Sequence, residues 1–499
     1  MLAEWSVATK AERMRRALAL LLWHVLVLTP VACREQPQGA LKAVVIGGQP
    51  QLRDPSLGAL TAPDAVVLQN VAQGLVSFDS SGNIVAALAE RWNVSDDGLS
   101  YIFRISATKW PDGQKVTAQQ VARLLKRQLA PKSRNDLKDS LGAVLDVVAM
   151  TDRVIEIQLV APRPNLLSLL AQPEFAILRG TSGTGPFQPV RTGGPGGELR
   201  LSREVAMGDE ERTRRDEVML SGSSAPEAIR AFAADKSDLV LGGTFVDLPL
   251  TQRVRLPRDS LRFDPASGLF GLVPVQPGGS LDKPETRRLL SQALDRTNFV
   301  AALGVAGLLP RATLLEPGLD GLPPPVVPAW FGTPLGNRLG PLRSASDKLF
   351  GKAKPVIRVA LPQGPGADLL LRELVRDWGA IGLSVERANA GAADLALIDE
   401  VAPSSSPAWF VRRFRCGVVP VCDPQADQLM EAARLMPVAA QRYALLAQAA
   451  TRIEDAQLFI PLTAPVRWSL VSARVQNFTG NRYARHTLTD LDQKGGASD

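Results

Sequence analysis

Catalysis needs groups that give, take or hold protons and electrons, and this 499-residue chain is poorly supplied with the commonest of them. It has two histidines, His24 and His486. A serine nucleophile needs a base beside it, and no Gly-x-Ser-x-Gly elbow occurs. Cys33, Cys416 and Cys422 with so few histidines fall short of a zinc site. Cys416 and Cys422, in "CGVVPVC", read as a small disulfide loop in an oxidising compartment, with two free thiols as the alternative. "GTSGTGPF" (Gly180–Phe187) is glycine-rich but lacks the Gly-Lys-Ser/Thr ending that sets a lysine and a hydroxyl on phosphates, so it reads as a tight connection. Carboxylates are plentiful, so a secreted carboxylate-pair hydrolase remains a reading, as does a Ser-Lys one. Turnover of a bound compound is the observation that would favour either.

Other residues suit binding better than turnover. Trp409 and Phe410 follow a serine run on an expected loop, where they would form either a stacking wall or core packing. Arg412, Arg413 and Arg415 in "VRRFRC" would hold a ligand carboxylate through paired N–H donors, or form a solvated basic loop. Thr244 and Phe245 follow a buried strand, whose end can face a cleft. Trp92 and Trp110 read as packing residues.

Elements that position these residues follow from periodicity. "SYIFRIS" alternates as a strand, "PDG" turns, and Thr117 with Gln120 makes a capping box for a helix whose stripe is Val121, Leu124, Leu125 and Leu129. Every residue of "KWPDGQKVTAQQV" thus has a structural task. "DVVAMTDRVIEIQLVAP" is a hairpin, "RPNLLSLLAQ" a short helix, and "RTGGPGGE" a solvent turn within another hairpin. "AIRAFAADKSDLVLGG" reads as helix, turn and buried strand. "DKPETRRLLSQALDRTNFVAALG" reads as one helix, with Pro284 near its start and Gly304 after its end. "LPPPVVPAW" is a rigid loop. From "PVIRVALP" to "ADLALID" the order is strand, helix, strand, strand, with Gly382 as a helix cap, which favours a mostly parallel sheet. Two helices and a buried extended run, "LFIPLTAPVRWSLV", follow. No internal repeat appears. The chain reads as two α/β lobes with an insertion near residues 80–175.

The beginning of the chain carries an export signature. Arg13, Arg15 and Arg16 precede an apolar run from Ala17 to Leu28, too short to span a bilayer comfortably and right for a signal-peptide core. Met14 makes a better start than Met1, because residues 1–13 add an acidic, Trp-containing extension. "TPVAC" resembles a bacterial lipobox, although Pro30 stands where leucine is usual. The readings are lipidation at Cys33 or a plain secretory cut nearby, both extracytoplasmic. Formal charge is +7, and removal of residues 1–33 leaves +5. No basic block interleaved with aromatics occurs, so nucleic acid is not an expected partner.

The order of segments resembles the large solute-binding proteins of bacterial ABC importers, in the oligopeptide, dipeptide and nickel group (extracellular solute-binding protein family 5). The resemblance is carried by "VAQGLVSFDSSGNIVAALAERWNVSDDGLSYIFRI", "KWPDGQKVTAQQV", "GTGPF", "RRLLSQALDR", "AIGLSVE", "CDPQADQLMEAA" and "IEDAQLFIPL", in family order from about residue 50 to 480. It implies an α/β, two-lobed periplasmic-binding-protein type II fold with an additional α/β insertion subdomain in the first lobe. The implied division is 34–79, 178–265 and 466–499 for lobe I, 80–177 for the insertion, and 266–465 for lobe II. The lobes would close over a peptide or peptide-like solute by a hinge motion. Implied partners are the permease and ATPase subunits, with no cofactor, a membrane link only through a lipid anchor, and a monomeric chain. A binding lipoprotein with a sensing or assembly role is the alternative, and adjacent permease and ATPase genes would discriminate.

Site expectations also follow from the resemblance. Ser182 and Thr184 fall near the lobe crossover, and Gln73 replaces a glutamate common at that point. Many peptide-binding members have an acidic loop after the strand matching "DLALI", one aspartate of which pairs with the peptide amine. Here Ala402–Pro407 reads "APSSSP", without a carboxylate. Asp399 and Glu400 lie just upstream as possible replacements, since a buried ammonium needs a partner. A nickel site is disfavoured by the isolation of His486. The ligand-binding expectation therefore covers Gln73, Ser182, Thr244, Thr184, Phe245, Asp399, Glu400, Trp409 and Arg413.

Overall fold

Leu41, Ala43 and Val45 alternate inward on a first strand, Leu41–Ile46, which becomes the centre of a seven-stranded sheet. The computed structural model describes residues 39–191, 198–206 and 213–493; the expected leader and the "RTGGPGGE" turn lie outside the described residues. Leu41–Ile46 pairs in parallel with Thr213–Ser223 and Leu239–Thr244. The sheet continues antiparallel on both sides, through Arg467–Val471 to Leu261–Phe263 and through Leu199–Ala206 to Gln188–Arg191.

A second sheet has five strands in the order Ser384–Arg387, Val356–Ala360, Leu395–Val401, Gly268–Pro274 and Ile460–Thr463. It is mixed rather than mostly parallel. Val356–Ala360 runs parallel to both neighbours, whereas Gly268–Pro274 is antiparallel to both of its own. The last two strands of that order carry the chain into and out of this lobe, and their direction is set by that passage.

The insertion is an antiparallel four-stranded sheet, Ala89–Val94, Ser100–Ile105, Val154–Leu159 and Val144–Thr151 in spatial order, covered by the helix Ala118–Leu129. Thr117 and Gln120 form the expected capping box. Trp110 is fully buried, its indole N–H donating to Gln120 at 2.9 Å, with the Arg179 guanidinium 4.7 Å above its ring. The segment around Pro284 forms two helices, Pro284–Gln292 and Arg296–Leu303, rather than one. Asp295 interrupts it by accepting the Asn298 N–H and starting a new helix. Gly304 ends the second in the left-handed region. Gly382 takes a left-handed turn beyond a helix that already stops at Gly379, so it is not the cap itself.

The chain crosses between the large sheets twice, from Phe263 to Gly268 and from Thr463 to Arg467. The crossings are tied together, since the Asp264 N–H donates to the Arg467 carbonyl at 3.0 Å. Arg467 also reaches the other sheet. Its Nη1 donates to the Asp399 carboxylate at 2.8 Å and its Nη2 to the Asp399 carbonyl at 3.0 Å. Beside it, the Trp468 indole donates to the Thr244 carbonyl at 2.8 Å and lies where Gly243 leaves room; a Cβ there would sit 2.2 Å from the ring. One continuous core runs under the junction, with Phe245 set edge-on to Phe270 at 4.8 Å.

Gly268, at φ +150°, is where the first crossing enters the second sheet, and an added Cβ would lie 2.1 Å from the Glu400 carbonyl oxygen. Gly268→Ala is therefore expected to destabilise the protein by about 1–3 kcal/mol through forced overpacking, read as a lower urea midpoint; an unchanged midpoint would refute the close approach. Burial raises the Asp399 carboxyl pKa, opposed by Arg467. A carboxyl raised on folding binds its proton more tightly in the folded state, so its contribution is complete below the unfolded pKa and is lost as pH rises through the folded one. The stability of the wild type relative to Asp399→Asn is thus expected to increase as pH falls from 7 to 4. Denaturation curves of the two proteins across that range provide the check, and the opposite slope would contradict it.

Candidate ligand-binding site

Helix ends and the loops beside them bring polar groups of the insertion against lobe II. Ser406 precedes Pro407, which starts a helix, Pro407–Arg412, where a loop was expected for Trp409 and Phe410; proline at the first helical position is preset for that turn. The helices Pro424–Leu435 and Ala439–Asp455 pack behind it on Phe410, Phe414, Met430 and Leu446. Facing them, Arg163 and Asn165 stand at the exit of the insertion hairpin, just before the helix Leu166–Leu170.

Between these faces is a cavity of about 230 Å³, whose walls include Ser140, Arg163 and Asn165 on one side and Arg412, Arg434 and Tyr443 on the other. A smaller space of about 90 Å³ adjoins it, lined by Asp139, Ser404, Trp409 and Arg413 among others. Contacts across the gap hold the faces together. The Asn165 amide donates to Ser404 Oγ at 3.1 Å, and the buried Gln172 amide donates to the Pro403 carbonyl at 2.9 Å. Arg163 Nη2 donates to the Arg434 carbonyl at 2.6 Å, and Arg412 Nη1 to the Asp139 carbonyl. Cys416 and Cys422 are joined in a disulfide that closes the loop between two of the lobe II helices, and the Cys416 N–H donates to both oxygens of Asp427 on the cavity wall.

A larger opening of about 780 Å³ lies at the crossings, walled by Phe263, Pro265, Leu309, Pro325 and Phe331. Its main polar groups are already engaged: Asp264 holds His486 Nε2 at 3.2 Å, and Arg311 pairs with Glu316 at 2.5 Å. The smaller cavity, with convergent polar groups and walls from two subdomains, has the character of a solute site.

The expected site residues fall into separate places. Trp409 and Arg413 line the space adjoining the cavity. Arg413 is paired with Glu400, so two expected ligand contacts satisfy each other. Asp399 is taken by Arg467 at the lobe junction. Gln73, Ser182 and Thr184 gather elsewhere, where the Gln73 amide donates to the Thr184 carbonyl at 2.9 Å and Ser182 exchanges backbone bonds with Arg179. Gly183 and Gly185 lie flat against Val71 and Ala72 there, which makes the glycine-rich segment a close-packed connection. Phe245 does not face a cleft; it is fully buried in the junction core, because its strand turns inward after Thr244. Thr244 gives its carbonyl to Trp468. Arg163, Asn165, Arg434, Arg442 and Tyr443 were not singled out by sequence reasoning. Each looks like an ordinary polar residue at a helix or strand end, and only the approach of the insertion to lobe II gives them a common space.

A family model for bacterial extracellular solute-binding proteins, family 5, matches residues 83–339. A probable di/tripeptide-binding protein 5 of Pseudomonas aeruginosa is 26% identical over 502 residues, covering 87% of this chain and 91% of that protein. Among solved structures, Haemophilus influenzae OppA in complex with RPPGFSPFR aligns with a TM-score of 0.77 at 17% identity over 92% of this chain and all of that one (100%). The Escherichia coli murein tripeptide binding protein MppA aligns with a TM-score of 0.77 at 16% identity, over 92% of this chain and 99% of that one. The fold is thus the two-lobed type II binding-protein fold, and the chain belongs to the bacterial extracellular solute-binding proteins of family 5.

Proposed function

We propose that the protein captures a small peptide or peptide-like solute between its insertion and lobe II, outside the cytoplasm, and hands it unchanged to the permease of an ABC importer. The observation that carries this reading is the cavity of about 230 Å³ enclosed between two subdomains that are joined by hydrogen bonds donated from the insertion by Asn165 and Gln172 and from lobe II by Arg412. Its volume is below the usual ~300–1,000 Å³ of small-molecule pockets, which supports a solute on the scale of a di- or tripeptide. The names of the Pseudomonas and Escherichia relatives, with their short peptides, support the same size class. Capture without turnover is supported by the position of His486, which is 8% exposed and does not line the cavity. Export by the leader and anchoring at Cys33 complete the proposal.

Native mass spectrometry of protein purified from its own extracytoplasmic space tests the reading. A stoichiometric small solute, unchanged on incubation, is the expected result; a processed product accumulating with time would overturn capture without turnover. Closure should depend on the Gln172–Pro403 contact, which lies away from the cavity walls. Gln172→Leu removes the buried hydrogen bond to Pro403, worth about 1 kcal/mol, together with the longer one that Gln172 Oε1 accepts from Arg485 at 3.3 Å, and is expected to weaken capture by about fivefold or more. Calorimetry reads the affinity and small-angle scattering the accompanying opening, and an unaltered affinity would remove this contact from the closing mechanism.

A further inference from the structure

The walls of the cavity carry five guanidinium groups and two carboxylates: Arg163, Arg412, Arg415, Arg434 and Arg442 against Asp427 and Glu431. Glu431 is ion-paired, whereas among the described residues Asp427 accepts only a main-chain N–H. Glu431 accepts from Arg434 at 2.6 and 2.9 Å, and Asp427 accepts the Cys416 N–H at 3.1 and 3.2 Å. Arg415 reaches Asp139 at 3.4 Å. Three arginines remain with carbonyl oxygens alone. Arg163 donates to Pro162 at 2.8 Å and to Arg434 at 2.6 Å, Arg412 to Asp139, and Arg442 to Met436 at 3.3 Å, while its guanidinium lies 5.2 Å from the Tyr443 ring centroid. Among the described residues none of these three forms an ion pair.

Carbonyls satisfy the N–H groups but do not neutralise the charge. Arg442 is 5% exposed, and a buried cation without a counter-ion is unfavourable. Burial, with Arg442, Arg412 and Arg434 nearby, pulls the Arg163 pKa down to about 10, still charged at neutral pH. For an ammonium group the same walls offer one uncompensated carboxylate, Asp427, against three unpaired guanidinium groups, and Ala402–Pro407 contains none.

We propose that the cavity selects by negative charge: its solute is small, carries two carboxylates that face Arg163, Arg412 and Arg442, and is recognised without a free ammonium group. This rests on the capture reading above and narrows it to acidic peptides and peptide-like dicarboxylates. Guanidinium groups match carboxylates through paired N–H donors, so two such contacts would supply both the missing counter-charge and the orientation of the solute.

Calorimetry on protein freed of retained solute tests the idea with Glu-Glu, N-acetyl-Glu-Glu, Ala-Ala and inorganic phosphate as probes. Glu-Glu should bind at least about tenfold more tightly than Ala-Ala, and N-acetylation should change its affinity by less than about threefold. Arg163→Gln and Arg442→Gln should each lower the preference for Glu-Glu over Ala-Ala by about tenfold, with Arg163→Lys retaining part of that preference. Far-UV circular dichroism identifies any variant that fails to fold, and the comparison of probes on the wild type stands without the variants. Equal binding of Ala-Ala, loss of binding on acetylation, or phosphate binding as tightly as Glu-Glu would each overturn the inference. A neutral or cationic solute found by native mass spectrometry would overturn it too, yet leave capture itself standing. Failure of every probe overturns the dicarboxylate assignment; capture falls with it only if the protein also retains no solute from its own compartment.

Discussion

Arg467 and Asp399 meet where the two large sheets approach each other, and the geometry of both lobes is referred to that contact. Arg467 opens a strand of the first sheet and Asp399 lies on an inner strand of the second. The backbone on either side of Arg467 is fixed as well, by the Asp264 N–H on its carbonyl and by Trp468 seated over Gly243. A largely but not fully buried ion pair contributes little net stability compared with apolar packing, but it admits few alternative arrangements. The pair defines one position of lobe II relative to lobe I, with the shared core of Phe245, Phe270 and Trp468 beneath it. The distance across the cavity, tens of residues away in sequence, follows from that position.

The fold was legible in the sequence wherever local chemistry decides structure. The Thr117–Gln120 box, the hairpin of the insertion and the helix after "PVIRVALP" are set by capping, alternation and apolar spacing, which operate within a few residues. Misreadings came where a distant partner decides. The strand directions of the second sheet depend on the two crossings, and no local signal at Gly268 or Ile460 announces them. Asp295 was read as a mid-helix residue because its capping role becomes visible only when the chain has already turned.

The site was less legible, for the same reason. Trp409 and Arg413 were found through residue type alone. Asp399 and Glu400 also had the right chemistry, yet each has an arginine of its own protein beside it. Sequence shows charges but not their pairing, and a carboxylate is useful to a ligand only if nothing in the chain has claimed it. Arg163 and Arg442 are the converse case. They lie 279 positions apart by number and look unremarkable, but both line one space, and among the described residues neither forms an ion pair.

The contact between Gln172 and Pro403 has a consequence for how such a protein can change. The acceptor is a main-chain carbonyl, which every amino acid supplies, and the amide that grips it belongs to the other side of the cleft. Apart from Ser404, whose hydroxyl accepts the Asn165 amide, the side chains of "APSSSP" are therefore uncoupled from the fastening of the cleft. That loop can exchange one residue for another, and with it the kind of molecule admitted, while the catch that shuts over the cargo keeps the same hold.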